Sequence, residues 1–116
     1  MNAVTIYHNP RCSKSRQTLK LLQEHGIEPR IIEYIKDPPD EHTLARILGM
    51  LDMAPIDLVR RNEKVYGELG LEEKKDDPNV LIKAIIKHPI LMERPIVIKG
   101  DEARIGRPPE DVLEIL

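Results

Sequence analysis

Pro95-Ile96-Val97-Ile98-Lys99-Gly100-Asp101-Glu102-Ala103-Arg104-Ile105 is the stretch whose reading decides the fold. Pro95 to Ile98 reads as a strand, Lys99-Gly100-Asp101 as a turn and Ala103-Arg104-Ile105 as a returning strand, which together make a β-hairpin. Proline bounds this unit on both sides. Pro89 ends the helix before it, and Pro108-Pro109 opens a terminal helix with Val112, Leu113 and Leu116 as its inner face.

The N-terminal third has a different rhythm. Residues 3–8 read as a strand and residues 12–25 as a helix, with Leu19 and Leu22 on one face and Leu21 beside them. Gly26 is a left-handed stop after which Ile27 can fold back on Leu22. Arg30-Ile31-Ile32-Glu33-Tyr34-Ile35 is a second strand, so strand, helix and strand follow in order and predict parallel pairing through a right-handed crossover. Pro38-Pro39 then breaks the chain. Asp40 caps a helix carrying Leu44, Ile47, Leu48 and Leu51 on one face, and Pro55 opens a short helix through Ile56, Leu58 and Val59. Residues 62–76 read as polar and irregular, anchored by Val65, Tyr66, Leu69 and Leu71. Asp77-Pro78 starts a third helix with Leu81, Ala84, Ile85 and His88 on one face. A parallel half, an antiparallel hairpin and a last helix make an α/β, thioredoxin-like fold. The reading is one domain over 1–116 with a helical insertion at about 40–90.

Composition narrows the function. The 116 residues are 41% apolar and 33% charged, the balance of a globular domain and not of a disordered tail. No run approaches the ~18 apolar residues of a bilayer helix, so no membrane is expected. A net charge of −2 and three tyrosines as the whole aromatic complement argue against nucleic acid as partner. The strand at Val4–Tyr7 leaves no room for a basic n-region and apolar core of a secretion signal, so the expected address is cytoplasmic. There is a single cysteine, Cys12, which excludes an intrachain disulfide and a Cys-rich zinc site; no metal is expected.

The chemistry centres on His8-Asn9-Pro10-Arg11-Cys12-Ser13-Lys14-Ser15-Arg16, at the end of the first strand and the start of the first helix. Free N–H groups and the positive end of the helix dipole stabilise a thiolate there, and Arg11, Lys14 and Arg16 add cationic field. The same N–H groups form an anion site. A tetrahedral oxyanion approaches a thiolate only where cations compensate, and guanidinium forks supply both charge and geometry. Arg60, Arg94 and Arg107 are the candidates, each beside a break or a helix end, although each alone reads as an ordinary surface charge. In a thioredoxin-like fold Pro95 occupies the place of a cis proline facing the cysteine. His8 either supports the thiolate by hydrogen bonding or closes the strand end; His25, His42 and His88 receive no chemistry.

His8-Asn9-Pro10, Cys12, Ser15 and Arg16 resemble the active-site segment of the glutaredoxin-coupled arsenate reductases of the ArsC family. Arg60-Arg61-Asn62-Glu63, then His88-Pro89-Ile90-Leu91 with Arg94-Pro95-Ile96-Val97, then Arg107-Pro108 with Val112-Leu113 and Ile115-Leu116 are similar to the family's later motifs, in the same order along essentially the whole chain. The resemblance implies that Cys12 attacks arsenate and that Arg60, Arg94 and Arg107 clasp the oxyanion. His8 and Arg16 would support the thiolate, with Ser15 hydrogen-bonding nearby. It implies no bound cofactor, glutathione as thiol co-substrate and glutaredoxin as partner. Arg11, Ser13 and Lys14 are bulkier and more basic than the small residues that flank the cysteine in the best-known members, and mark a subgroup.

Two other readings start from the same residues. One is a transcription-regulatory adaptor of the Spx type that binds RNA polymerase, but such proteins commonly switch through Cys-x-x-Cys, and here the last position is Ser15. The other is a glutathione-linked thiol oxidoreductase, or a reductase of another oxyanion. In every redox reading a second thiol must come from outside, because this chain has none. If the helix start activates the thiol, iodoacetamide alkylates Cys12 faster than it alkylates a small free thiol under the same conditions; an equal or slower rate would remove the basis for activation.

Overall fold

The computed structural model of the chain describes residues 3–116. It separates into two compact units, one formed by the residues up to Asp37 together with Arg94–Leu116, the other by Pro38–Glu93.

The first unit is built on a four-stranded sheet in the order β2-β1-β3-β4, with β1 at Val4–His8, β2 at Arg30–Glu33, β3 at Ile96–Lys99 and β4 at Glu102–Ile105. β1 pairs parallel with β2 and antiparallel with β3, and β3 pairs antiparallel with β4, giving the α/β thioredoxin-like arrangement. Helix α1, Ser13–Glu24, is the crossover between β1 and β2. It stops as Gly26 predicts: Gly26 adopts a φ of 75°, its N–H donates to the Gln23 carbonyl at 3.0 Å, and Ile27 N–H donates to the Leu22 carbonyl at 3.0 Å. Val4, Ile6, Leu22, Val97, Val112 and Ile115 form the core, with Leu19, Leu21, Ile27 and Leu116 packed against it.

Three expectations for this unit are corrected. β2 ends at Glu33, because Lys36 and Asp37 N–H groups turn back to the Glu33 carbonyl; Tyr34 is buried while Ile35 lies exposed. The residues after Pro108 wind as a 3₁₀ helix over Pro109–Ile115 and not as an α-helix, yet Val112 and Ile115 still face inward, as the i, i+3 eclipse of a three-fold turn requires. Leu113, expected on the inner face, is exposed.

The second unit is helical: α2 at Glu41–Leu51, α3 at Pro55–Leu58, α4 at Lys64–Glu68 and α5 at Pro78–Lys87, with 3₁₀ turns at Leu71–Lys74 and Pro89–Leu91. Asp40 caps α2 by accepting from Thr43 N–H at 2.7 Å, and Asp77 caps α5 by accepting from Val80 N–H at 3.3 Å. Leu44, Ile47 and Leu48 of α2, Leu58 of α3 and Leu81 and Ile85 of α5 are buried, and α2 and α3 both pack on α5. Residues 62–76 are more ordered than their polarity predicts. Tyr66 and Leu71 are buried, and the Tyr66 hydroxyl donates to Glu72 at 2.7 Å, while Arg61 donates to Glu72 Oε2 at 2.7 Å and Lys75 Nζ lies 3.2 Å away. Leu69 is exposed, contrary to its reading as an anchor.

Glu72 is held as a carboxylate at the centre of that cluster. The Tyr66 hydroxyl first, then Arg61 and Lys75, lower its pKa from 4.5 to about 2. A depressed carboxyl pKa gives stability that is complete above the unfolded value and lost as pH falls through the folded one. Glu72→Gln is therefore expected to lower the melting temperature at neutral pH. The gap between variant and wild type should close as pH falls from 4.5 toward 2, read by thermal melts across that window. A gap independent of pH would mean that the charge of Glu72 is not what the cluster uses.

Candidate active site

The segment after β1 is a turn that delivers Cys12 to the start of α1. Cys12 N–H donates to the Asn9 carbonyl at 3.0 Å, with Pro10 between them at the position where its fixed φ suits a tight turn. The Asn9 side chain reinforces the turn by accepting from Arg11 N–H at 3.0 Å, two residues on. Cys12 is then the N-cap of α1, with φ −94° and ψ 123°, and its carbonyl accepts the first helical bond from Arg16 N–H at 3.0 Å. Ser13, Lys14 and Ser15 precede that bond, so helix geometry leaves their N–H groups without an intrahelical acceptor. The Arg16 guanidinium bends back to the Pro10 carbonyl at 2.9 Å, so Arg16 braces the turn.

Ser15 ties the helix to the strand. Its Oγ is fully buried, accepts from Asn9 N–H at 3.0 Å and lies 2.7 Å from His8 Nδ1. With the His8 proton on Nε2, Nδ1 accepts the Ser15 hydroxyl, and both polar functions of Ser15 are used. Burial lowers the His8 pKa, the Arg16 charge lowers it further, and Glu33, opposite His8 in β2, raises it. His8 is therefore favoured as a neutral ring whose polar partner is Ser15. Its role at the site runs through the placement of the turn.

Arg107 and the main chain of Arg94 complete the arrangement. Arg107 Nη2 lies 3.5 Å from Cys12 Sγ, and Arg107 Nε donates to the Arg94 carbonyl at 2.7 Å. Gly106 N–H donates to the Pro95 carbonyl at 2.9 Å and Arg107 N–H to the Ile105 carbonyl at 2.9 Å, which fixes the backbone from which the Arg107 side chain departs. The Arg94-Pro95 bond is cis, as the fold leads one to expect, and Arg107-Pro108 is cis as well. Cys12 itself is 9% exposed, and its sulfur sits at the start of α1 with a guanidinium beside it. That combination presents a nucleophile and donors for an anion in one place.

Arg60 belongs to the second unit. There its N–H donates to the Leu91 carbonyl at 2.7 Å, and its guanidinium pairs with Glu63 at 2.6 Å and Glu93 at 3.7 Å. Among the described residues no cluster of His, Cys, Asp or Glu is placed to hold a metal ion, and no helix is long and apolar enough to cross a membrane. Sequence reading passed over Asn9 as a structural element, although Asn-Pro is a known turn signal. It also passed over Thr18, because hydrophobic periodicity does not register a buried stripe that runs Ser15, Thr18, Leu22.

Comparison with known proteins finds similar sequences and structures. The sequence matches the ArsC family over residues 7–115. It is 51% identical over 114 residues to "Uncharacterized protein YfgD" of Escherichia coli K12, covering 97% of this chain and 96% of that one. It is 43% identical over 116 residues to "Arsenate reductase" of the same organism, covering all of this chain and 82% of that protein. The solved structure "Arsenate reductase from Vibrio cholerae" superposes with a TM-score of 0.95 at 45% identity, covering 99% of this chain and 98% of that one.

Ser15→Ala leaves buried His8 Nδ1 and Asn9 N–H without their shared oxygen. The expected loss is about 1–3 kcal/mol of unfolding free energy, the cost of stranding buried polar groups, measured by urea titration. A loss within ~0.5 kcal/mol, the range of an ordinary surface change, would show that Ser15 does not hold strand and helix together.

Proposed function

The chain belongs to the ArsC family, and on that premise we propose that it is an arsenate reductase with Cys12 as nucleophile. The 3.5 Å approach of Arg107 Nη2 to Cys12 Sγ is the observation that carries the reading. An unbound thiolate and an arsenate ion repel each other; a guanidinium touching the sulfur lowers that barrier and offers a donor to the incoming oxygens. Arg107 and Arg94 would hold the oxyanion, as the family resemblance implies for Arg60 as well. The open N–H groups at the start of α1 would add neutral donors.

In the proposed cycle Cys12 Sγ forms a bond to As(V), and one arsenate oxygen leaves as water after protonation. Glutathione and then glutaredoxin each bring one thiol. The glutathione sulfur displaces a second arsenate oxygen as water, which carries off the glutathione proton. The glutaredoxin sulfur then attacks the glutathione sulfur, and the bond from that sulfur to arsenic breaks with its electron pair left on arsenic. The glutaredoxin proton passes to an arsenic oxygen, and a mixed disulfide and As(III) result. Hydrolysis of the remaining S–As bond releases arsenite and returns the Cys12 thiol. That the reducing thiols come from outside follows from the single cysteine, which can hold arsenic but cannot close a disulfide within the chain; their identity as glutathione and glutaredoxin is what the family resemblance implies. No resident cofactor is needed for this balance.

The test is a coupled assay with purified protein, glutathione, glutaredoxin, glutathione reductase and NADPH. Arsenate should trigger NADPH oxidation, while phosphate, which has the same shape and no accessible reduction, should not. Cys12→Ser should abolish turnover because the hydroxyl is far less ionised. Arg107→Ala and Arg94→Ala should each lower it by roughly 10–1000-fold, the scale of losing one anion-stabilising donor. No arsenate-dependent oxidation would overturn the reading. Turnover with selenate alone would move the protein to another oxyanion, and capture of RNA polymerase without turnover would favour an adaptor.

A further inference from the structure

Gly106 has no positive φ, so its backbone conformation is open to other residues; what it requires is space. A methyl group at Gly106 would overlap Thr18 Oγ1 and lie 2.9 Å from Pro95 Cγ and 3.1 Å from Thr18 Cγ2. Neither neighbour can give way cheaply. Thr18 is fully buried in α1, with its hydroxyl donating to the Lys14 carbonyl at 2.8 Å. Pro95 is buried at the entry to β3, and its carbonyl accepts from Gly106 N–H at 2.9 Å. Arg107 N–H closes onto the Ile105 carbonyl across Gly106, an i to i+2 bond that makes Gly106 the apex of a three-residue turn. The next residue is Arg107, whose Nε is held by the Arg94 carbonyl and whose Nη2 reaches Cys12.

We infer that Gly106 and Thr18 form a seat that sets the distance between the Arg107 guanidinium and the Cys12 sulfur, and that both are positioning residues for the oxyanion chemistry. Thr18 lies on the same helix that Cys12 caps, so one element carries both the sulfur and the surface on which the arginine turn rests. Closing the turn against Thr18 fixes Arg107 relative to α1 and not merely relative to the sheet. A side chain at Gly106 would lift the turn away from α1 and carry Arg107 with it. A shift of about 1 Å at such a group costs on the order of 100-fold in rate, so the seat is as consequential as the arginine it supports. The inference rests on the proposed role of Arg107, but its test does not depend on arsenate.

Cys12 is the only thiol, so its alkylation can be read cleanly. Neutral iodoacetamide and anionic iodoacetate transfer the same methylene to sulfur and release iodide, and they differ in charge. A guanidinium beside Sγ favours the anion. The ratio of iodoacetate to iodoacetamide rates should be higher in the wild type than in Arg107→Ala, which sets the floor. Gly106→Ala should fall to near that floor while keeping its far-UV circular dichroism. The double variant Gly106→Ala/Thr18→Ala, which removes both clashing Thr18 atoms and lets the turn slide off Pro95 into the vacated space, should recover part of the ratio. Arsenate turnover of Gly106→Ala should fall by about 10–100-fold in parallel. If Gly106→Ala alone does not fold, a double variant that folds with the higher ratio supports the seat. The inference is overturned if wild type and Arg107→Ala share one ratio, or if folded Gly106→Ala keeps the wild-type ratio. A double variant that stays unfolded, or folds at the floor, also overturns it. Wild-type protein that shows the charge preference but never reduces arsenate would leave the seat standing and remove the proposed activity.

Discussion

The contact between Arg107 and Cys12 joins the two ends of the chain, and the sheet register makes it possible. Tyr7 of β1 pairs with Ile96 of β3, and Ile96 pairs with Ile105 of β4. The end of β1, the beginning of β3 and the end of β4 therefore lie side by side at one edge of the sheet. The segments that leave this edge carry Cys12, Arg94 and Arg107. A slip of one residue between β1 and β3 would turn every side chain to the other face. Val4, Ile6 and Val97 share one core while Thr5, between Val4 and Ile6, is only partly buried, and this alternation opposes such a slip, so the packing that stabilises the sheet also sets the address of the site.

Within that frame an arginine does what a lysine cannot. The Arg107 fork divides its donors, giving Nε to the Arg94 carbonyl and leaving Nη2 toward sulfur. A lysine has one nitrogen at the end of a flexible stem and would have to choose between these partners. The main-chain carbonyl is an acceptor that no substitution at Arg94 removes. It aims the plane of the guanidinium, and a planar cation aimed in advance loses less freedom when an anion arrives.

Much of this was legible in sequence because it rests on period and punctuation. The strands, the α1 stop at Gly26 and the caps at Asp40 and Asp77 all follow from local rules that the tertiary structure did not override. The failures of burial share a cause, which is that non-local packing decides it. Ile35 and Leu69 are apolar and exposed, while the inner stripe of α1 holds Ser15 and Thr18. A buried serine is acceptable only because His8 and Asn9 arrive from another element to satisfy it, and apolar periodicity does not encode that partnership even though all three residues lie close together in sequence. The same holds for Gly106, whose requirement for space comes from a threonine on the first helix.

Ser15 also bears on where the electrons come from. A protein that resolves its own sulfur chemistry places a second thiol one helical turn after the first, which here is the position of Ser15. In this chain that position is occupied by an oxygen already shared between His8 and Asn9. A thiol there would be a weaker partner to both, and the turn that presents Cys12 would loosen. The fold has thus committed that position to holding the Cys12 turn in place. Under the proposed activity, capture of the oxyanion and supply of reducing equivalents are separate tasks, with geometry kept by this chain and the second thiol brought to it.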